Sequence, residues 1–207
     1  MTYGAQMPGT VYFPPEFADQ DWKKPNRAAY MAALARHQPR MATVIDWERA
    51  DQLPDVLSWA EEAAQYVETV IIIPKVLGGI PRLPRRIGGA AVRLGYSVPT
   101  AYGGTELPLW EFAGWPVHLL GGSPHRQIHT AHYLEVVSAD GNYINLKATA
   151  FCEWWDGRRF KPLRPQQSDA PYEAFRRSCV NVMAAWRNAL THRSNGPDVN
   201  GAGREGR

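Results

Sequence analysis

Four short apolar runs of the sequence each carry a polar side chain at or near their ends. Asp46 follows Thr43-Val44-Ile45, and Lys75 follows Ile71-Ile72-Ile73-Pro74. His118 lies within Val117-His118-Leu119-Leu120, and Asp140 follows Val136-Val137-Ser138-Ala139. Runs this short and this rich in β-branched residues read as buried strands. In parallel α/β folds the loops after the strands converge on one face, and residues at those strand ends carry the chemistry. Two aspartates and a lysine on one rim can move protons, attack an electrophilic carbon or bind an anion. A lone Asp at a strand end serves as readily to cap the next helix. Gly121-Gly122-Ser123, just ahead of a helical stretch, offers backbone N–H groups of the kind that hold a phosphate, although a plain tight turn uses the same residues.

Other chemistries find less support. His118, His125, His129 and His132 suggest a metal, and His125 and His129 could share a helix face, but no carboxylate-bearing signature accompanies them. Cys152 and Cys179 supply neither a disulfide framework nor a four-ligand zinc site. The chain has no Gly-x-Ser-x-Gly and no dinucleotide fingerprint. No metal and no cofactor are expected.

The elements that must position these residues alternate in type. Asn26–His37 is an Ala-rich helix capped by Asn26, and Met41–Asp46 is a strand. The apolar positions of 53–67 fit one helix face, and Val70–Pro74 is the next strand. Pro81–Gly89 has little helical potential, so the crossover there is short or irregular. Strands at Ala91–Val98, Pro116–Leu120 and Glu135–Ala139 follow, with a helix at His125–Leu134 before the last, and Thr10–Phe13 is a candidate opening strand. Repeated strand and helix predict a parallel sheet with right-handed crossovers. The strands number fewer than the eight that a closed barrel builds in about 250 residues. The expected fold is therefore a parallel β/α barrel of the TIM type, trimmed or incomplete, with a doubly wound sheet as the alternative. Past Phe151 the pattern breaks and leads to a C-terminal helix near Tyr172–Leu190. Residues 1–193 are expected to form one domain, and 194–207 a disordered Gly/Asn/Arg tail.

The chain of 207 residues carries eight Trp, nine Tyr and six Phe, which excludes disorder for most of it. The net charge of +3 is too small to declare a nucleic-acid binder. Its distribution says more: Lys75, Arg82, Arg85, Arg86 and Arg93 cluster, as do Arg158, Arg159, Lys161 and Arg164, while acidic residues gather between Asp46 and Glu68. No run of about 18 apolar residues and no secretory signal is present, so a cytoplasmic setting without a membrane partner is expected.

The order of the strand ends resembles the C-terminal part of the tRNA-guanine transglycosylase barrel. Pro116-Val117-His118-Leu119-Leu120-Gly121-Gly122-Ser123-Pro124 is similar to that family's strand ending in His-x-(Leu/Met)-Gly, which precedes a helix and a strand ending in the nucleophilic Asp. Asp140 takes that last position. Gly95-Tyr96-Ser97-Val98 with Gly103-Gly104 resembles the loop that meets the base, and Thr43-Val44-Ile45-Asp46 the strand whose Asp reads the deazaguanine edge. The pairing of VHLLGGSP with Tyr-Ser-Val-Pro-Thr is closer still to the small phage-type DNA 7-deazaguanine transglycosylases. The Cys-rich zinc site of the tRNA enzymes has no counterpart here, nor does their early Asp-Ser-Gly-Gly-Tyr motif. Asp19 is the nearest candidate for the second carboxylate, with Asp21 next, and Lys75 stands where the family has Gln.

What the resemblance implies is base exchange: guanine in DNA replaced by a 7-deazaguanine (preQ0-like) base through a covalent Asp140–sugar intermediate, with Asp19 handling the proton. Asp46, Lys75, Ser97, Gly103, Gly104, His118, Gly121, Gly122 and Ser123 would bind substrate. Tyr12, Phe13, Tyr96 and Tyr102 are candidate walls for a flipped base. Partners would be DNA and the free base, in the host-cell cytoplasm for a phage-encoded chain, with a homo-oligomer compatible. The rival readings are a non-catalytic nucleic-acid-binding protein on a degenerate barrel and an α/β phosphate-handling hydrolase.

Overall fold

The computed structural model describes residues 2–4, 16–21, 23–101, 103–163 and 169–194. They divide into two compact units, one holding the described residues up to Ser123 together with Tyr133–Asn142, the other Pro124–His132 and the described residues from Tyr143 onward. Among the described residues no helix is long and apolar enough to cross a membrane.

The first unit is built on one sheet. Its strands are β1 (Thr2–Gly4), β2 (Phe17–Asp19), β3 (Met41–Thr43), β4 (Thr69–Ile72), β5 (Arg86–Ile87), β6 (Ala90–Ser97), β7 (Val117–Leu120) and β8 (Val136–Ala139). The order is β1-β2-β3-β4-β6-β7-β8, every neighbouring pair parallel. Helix α1 (Arg27–His37) joins β2 to β3, and α2 (Leu53–Ala63) joins β3 to β4. Asn26 caps α1 by accepting the Ala29 N–H, and α1 buries Tyr30, Met31 and Leu34. β4 is buried along its whole length, which is why its sequence is an unbroken apolar run.

One expected element comes out shorter, and the crossover is irregular as expected. The helical period over 53–67 stops at Ala63, because Gln65 and Tyr66 tighten into turns on Glu62 and Ala63 and free Val67 to enter the core. The irregular crossover is a 3₁₀ turn at Ile80–Arg82 followed by β5, which pairs antiparallel with β6.

The sheet curls. β2 and β7 lie four places apart in the strand order, so a flat sheet would hold them about 19 Å apart. Instead the rings of Phe17 and His118 stack with centroids 4.7 Å apart. Arg93 on β6 likewise reaches Met41 on β3 and Ser138 on β8. Phe17, Ile71 and Ile73 fill the concave side with Met41 and Leu120 against them. Among the described residues β1 pairs only with β2 and β8 only with β7, so the fold is a parallel half-barrel rather than a closed barrel.

Gly95 shows how tightly that interior closes. A Cβ there would lie 2.6 Å from Ile73 Cγ1 and 2.8 Å from Leu120 Cδ1. Gly95→Ala should cost about 1–3 kcal/mol of stability, as overpacking does, measured by urea denaturation. An unchanged midpoint would show that the interior is slack at this point.

The second unit contains α3 (Pro124–Ala131), α4 (Tyr143–Phe151), a hairpin of β9 (Glu153–Trp155) and β10 (Phe160–Pro162), and α5 (Ala170–Ser194). Ser178 on α5 accepts the Trp155 N–H at 2.9 Å, and Asn181 donates to the Trp155 carbonyl at 2.7 Å, tying the hairpin to the helix. Helix α5 runs past both ends of 172–190 and takes in Ser194. The rest of the expected tail lies outside the described residues, as do Thr10–Phe13 and Arg164.

Candidate functional site

Because the strands are parallel, their carboxyl ends share one rim, and the polar residues cluster there. The β3–β4 pairing extends past the strands through a bridge between Trp47 and Pro74. Trp47 N–H donates to the Ile73 carbonyl at 2.9 Å, and Lys75 N–H to the Trp47 carbonyl at 2.8 Å. This ladder places Asp46 and Lys75 side by side: Lys75 Nζ sits 2.7 Å from Asp46 Oδ2 and 3.0 Å from Glu48 Oε1. Burial works against the Lys75 ammonium, but its bonds to Asp46 and Glu48 outweigh it and raise the group above its ordinary value. Lys75 thus stands between two carboxylates of its own chain.

Asp19 ends β2. Its Oδ1 accepts the Thr43 hydroxyl at 2.8 Å, while that hydroxyl oxygen accepts the Gln20 N–H at 3.0 Å. The buried Tyr30 hydroxyl donates to the Thr43 carbonyl at 2.8 Å, with the Ala18 carbonyl 3.2 Å away, locking β2 to β3 behind the carboxylate. Burial pushes Asp19 up to about 6; Thr43 opposes the shift, and the charges of Asp140 and Asp46 add to it. Asp19 thus lies within electrostatic reach of both Asp46 and Asp140. Asp21 instead accepts the N–H groups of Lys23 and Lys24 in a local turn.

Asp140 follows β8, and its side chain is 16% exposed. Its N–H donates to the Leu119 carbonyl, and its Oδ1 lies 3.3 Å from His118 Nε2 and 3.4 Å from the Gly121 N that donates to it. The anion at the glycine loop is thus the chain's own carboxylate. Gly122 has φ +80°, and a Cβ there would meet Val98 Cγ1 at 2.6 Å, so only glycine fits this turn. His118 is buried, with Nδ1 2.8 Å from Ser138 Oγ.

Not every candidate joins this group. Ser97 N–H donates to the Thr105 hydroxyl, and the Gly103 carbonyl accepts from Thr100, so these residues and Gly104 shape the loop after β6. Tyr96 is buried edge-on against Phe112, a core role rather than a wall. Tyr12, Phe13 and Tyr102 lie outside the described residues. The arginine cluster disperses: Arg85 stacks on Trp115 and donates to the Gly114 carbonyl, Arg86 donates to the Gly89 carbonyl, and Arg93 points into the half-barrel. Ser123 adjoins the glycine turn at the boundary of the first unit. His125 and His129 lie on α3, in the second unit. Among the described residues no group of three or more His, Cys, Asp or Glu could hold a metal ion, and both cysteines are free.

Sequence reasoning passed over Gln20, Glu48 and Ser138, and named Arg93 only as part of a basic cluster. Gln20 is 5% exposed, its Oε1 has no hydrogen-bond partner, and it lines a hollow with Pro25, Ile45, Asp46, Glu48 and Gln52. A buried amide oxygen without a donor, beside two carboxylates, suits a ligand rich in N–H groups. The available signal for Ser138 was spacing: it stands two before Asp140, on the same face of a strand.

No curated protein and no solved structure matches this chain. One family matches it, over residues 3–187, and is described as "Family of unknown function (DUF6610)".

Proposed function

The chain belongs to that family, and we propose that it is a base-exchange transglycosylase, replacing guanine in DNA with a 7-deazaguanine base. The observation that carries the reading is the meeting of Asp19, Asp46 and Asp140 on one rim, with Asp19 held at about 6. Asp140 attacks the sugar C1′ as the bond to guanine N9 breaks. The bond's electron pair leaves on the base, and protonated Asp19 supplies the proton that neutralises it. The incoming base then returns a proton to Asp19 as its N9 attacks C1′, and the Asp140–sugar bond breaks to restore the carboxylate. An acid near 6 is suited to both directions at neutral pH. The hollow at Gln20, Ile45, Asp46 and Glu48 takes the donor edge of the base. Gln20 adds an acceptor there that the resemblance did not supply.

A purely binding role leaves the buried acid at Asp19 without a purpose, and a phosphate-handling hydrolase would need the Gly121 N–H that Asp140 occupies. The test is direct. DNA incubated with the protein and candidate 7-deazaguanine bases should yield the modified nucleoside on digestion, with one guanine released per base incorporated. Guanine release with none of the bases, in single- or double-stranded DNA, would end the reading.

Asp46→Asn should separate recognition from chemistry. Losing a charged hydrogen bond worth about 1.5–3 kcal/mol should raise KM for the incoming base about 10–100-fold, with kcat largely kept. A fall in kcat at unchanged KM would move Asp46 out of the base site.

A further inference from the structure

Inside the half-barrel, Arg93, Ser138, His118 and Asp140 form a continuous line of contacts across β6, β7 and β8. Arg93 Nη1 donates to Ser138 Oγ at 3.1 Å, and Ser138 Oγ lies 2.8 Å from His118 Nδ1. His118 Nε2 lies 3.3 Å from Asp140 Oδ1. His118 and Ser138 are direct partners in the β7–β8 register. We propose that Arg93 and Ser138 are positioning residues that set the proton of His118 on Nε2 and so aim the Asp140 carboxylate.

The direction follows from what each group can do. A guanidinium only donates, so Ser138 Oγ accepts from Arg93. An ionised Asp140 carboxylate only accepts, so His118 Nε2 donates to Oδ1, which also takes the Gly121 N–H. A ring carrying one proton then leaves Nδ1 to accept, and the Ser138 hydroxyl proton goes there. Phe17 stacks on the imidazole at an interplanar angle of 29° and keeps its plane from turning. The cost of the arrangement is visible at Arg93, where burial lowers the guanidinium below its ordinary value. Within the described contacts its guanidinium meets a hydroxyl and the Met41 sulfur, with no carboxylate to balance it. A half-buried cation spent on a hydroxyl is explained if the hydroxyl's orientation matters. Two donors on Oδ1 then fix the rotation of the carboxylate, the freedom that positioning must remove before an in-line attack.

The catalytic half of the inference rests on the base-exchange reading; the proton placement does not. ¹⁵N NMR of the imidazole in the full-length protein reads the tautomer without any substrate. Wild type should show His118 bare at Nδ1 and protonated at Nε2 at neutral pH. Ser138→Ala should mix the tautomers, Ser138→Thr should restore the wild-type pattern, and Arg93→Met should weaken it. In base exchange, Ser138→Ala should lower kcat about tenfold at unchanged KM for the base, with Thr restoring it. An imidazolium or an Nδ1–H tautomer in wild type would overturn the proposal, a result that needs no variant to fold. A shifted tautomer with kcat intact would overturn the positioning role. A wild type with the expected tautomer but no exchange of any base would sink the proposed function while leaving the proton placement standing.

Discussion

Asp140→Asn should reduce base exchange by on the order of 10⁴–10⁶-fold, the scale at which removal of a covalent nucleophile acts. The substitution keeps the shape of the side chain, and an amide oxygen can still accept from Gly121 and His118, so the fold should survive intact. What disappears is the charge that, in the proposed reaction, forms the bond to C1′. Two measurements read the change: guanine release in a single turnover, and a protein–DNA adduct stable on a denaturing gel. Wild type should show both and the variant neither, while free base still binds at Asp46. The competing role of helix cap predicts instead a stability loss of about 0.5–2 kcal/mol with exchange retained. Exchange at near the wild-type rate would remove Asp140 from the chemistry.

Asp19→Asn should have two effects of opposite sign. Catalysis should fall by about 10²–10⁴-fold, the usual contribution of a positioned acid or base. Stability at neutral pH should rise. An acid held at about 6 in the folded chain, against an ordinary 3.8, binds its proton more tightly folded than unfolded. Its burden on the fold is absent below about pH 3.8, grows as the pH rises and is complete above about 6. The size is on the order of 1–3 kcal/mol. The neutral amide keeps an oxygen for the Thr43 hydroxyl and sheds the buried charge. Thermal unfolding should therefore give a higher Tm for the variant at pH 7.5 and nearly equal values at pH 3.5. A lower Tm for the variant at pH 7.5 would mean that Asp19 is a stabilising partner rather than a strained acid.

The parts of the molecule legible in the sequence were those whose physics is local or periodic. β4 announced itself because a strand covered on both faces is apolar throughout, and β7 because its apolar run is broken only by His118; a polar residue within or just after such a run stands out. Asp46, Lys75, His118 and Asp140 were found in this way. β5 was not, since two residues carry no period, and α4 was hidden by an apolar pattern too even to mark a face. The inward role of Ser138, and of Arg93 beyond its place in a basic cluster, escaped for a different reason. In a closed core they would be costly, and only the curl turns the interior of these strands into a place where a polar line is useful. Gln20 was overlooked beside Asp19 because an orphan oxygen is a property of the packed chain, not of a residue type.

The stacking of Phe17 on His118 also bears on how the protein acquires its reactivity. These rings come from strands about a hundred residues apart, and bringing such distant segments together carries a loop-closure entropy that local contacts do not. Sequential docking of β2, β3 and β4 can proceed through nearer neighbours, but the meeting of Asp19 with Asp140 waits for this closure. On the proposed reading, folding and activation are then a single event. Partly assembled chains hold every carboxylate yet leave them apart, so on the proposed base-exchange reading local opening at β8 should abolish exchange before it unravels the sheet.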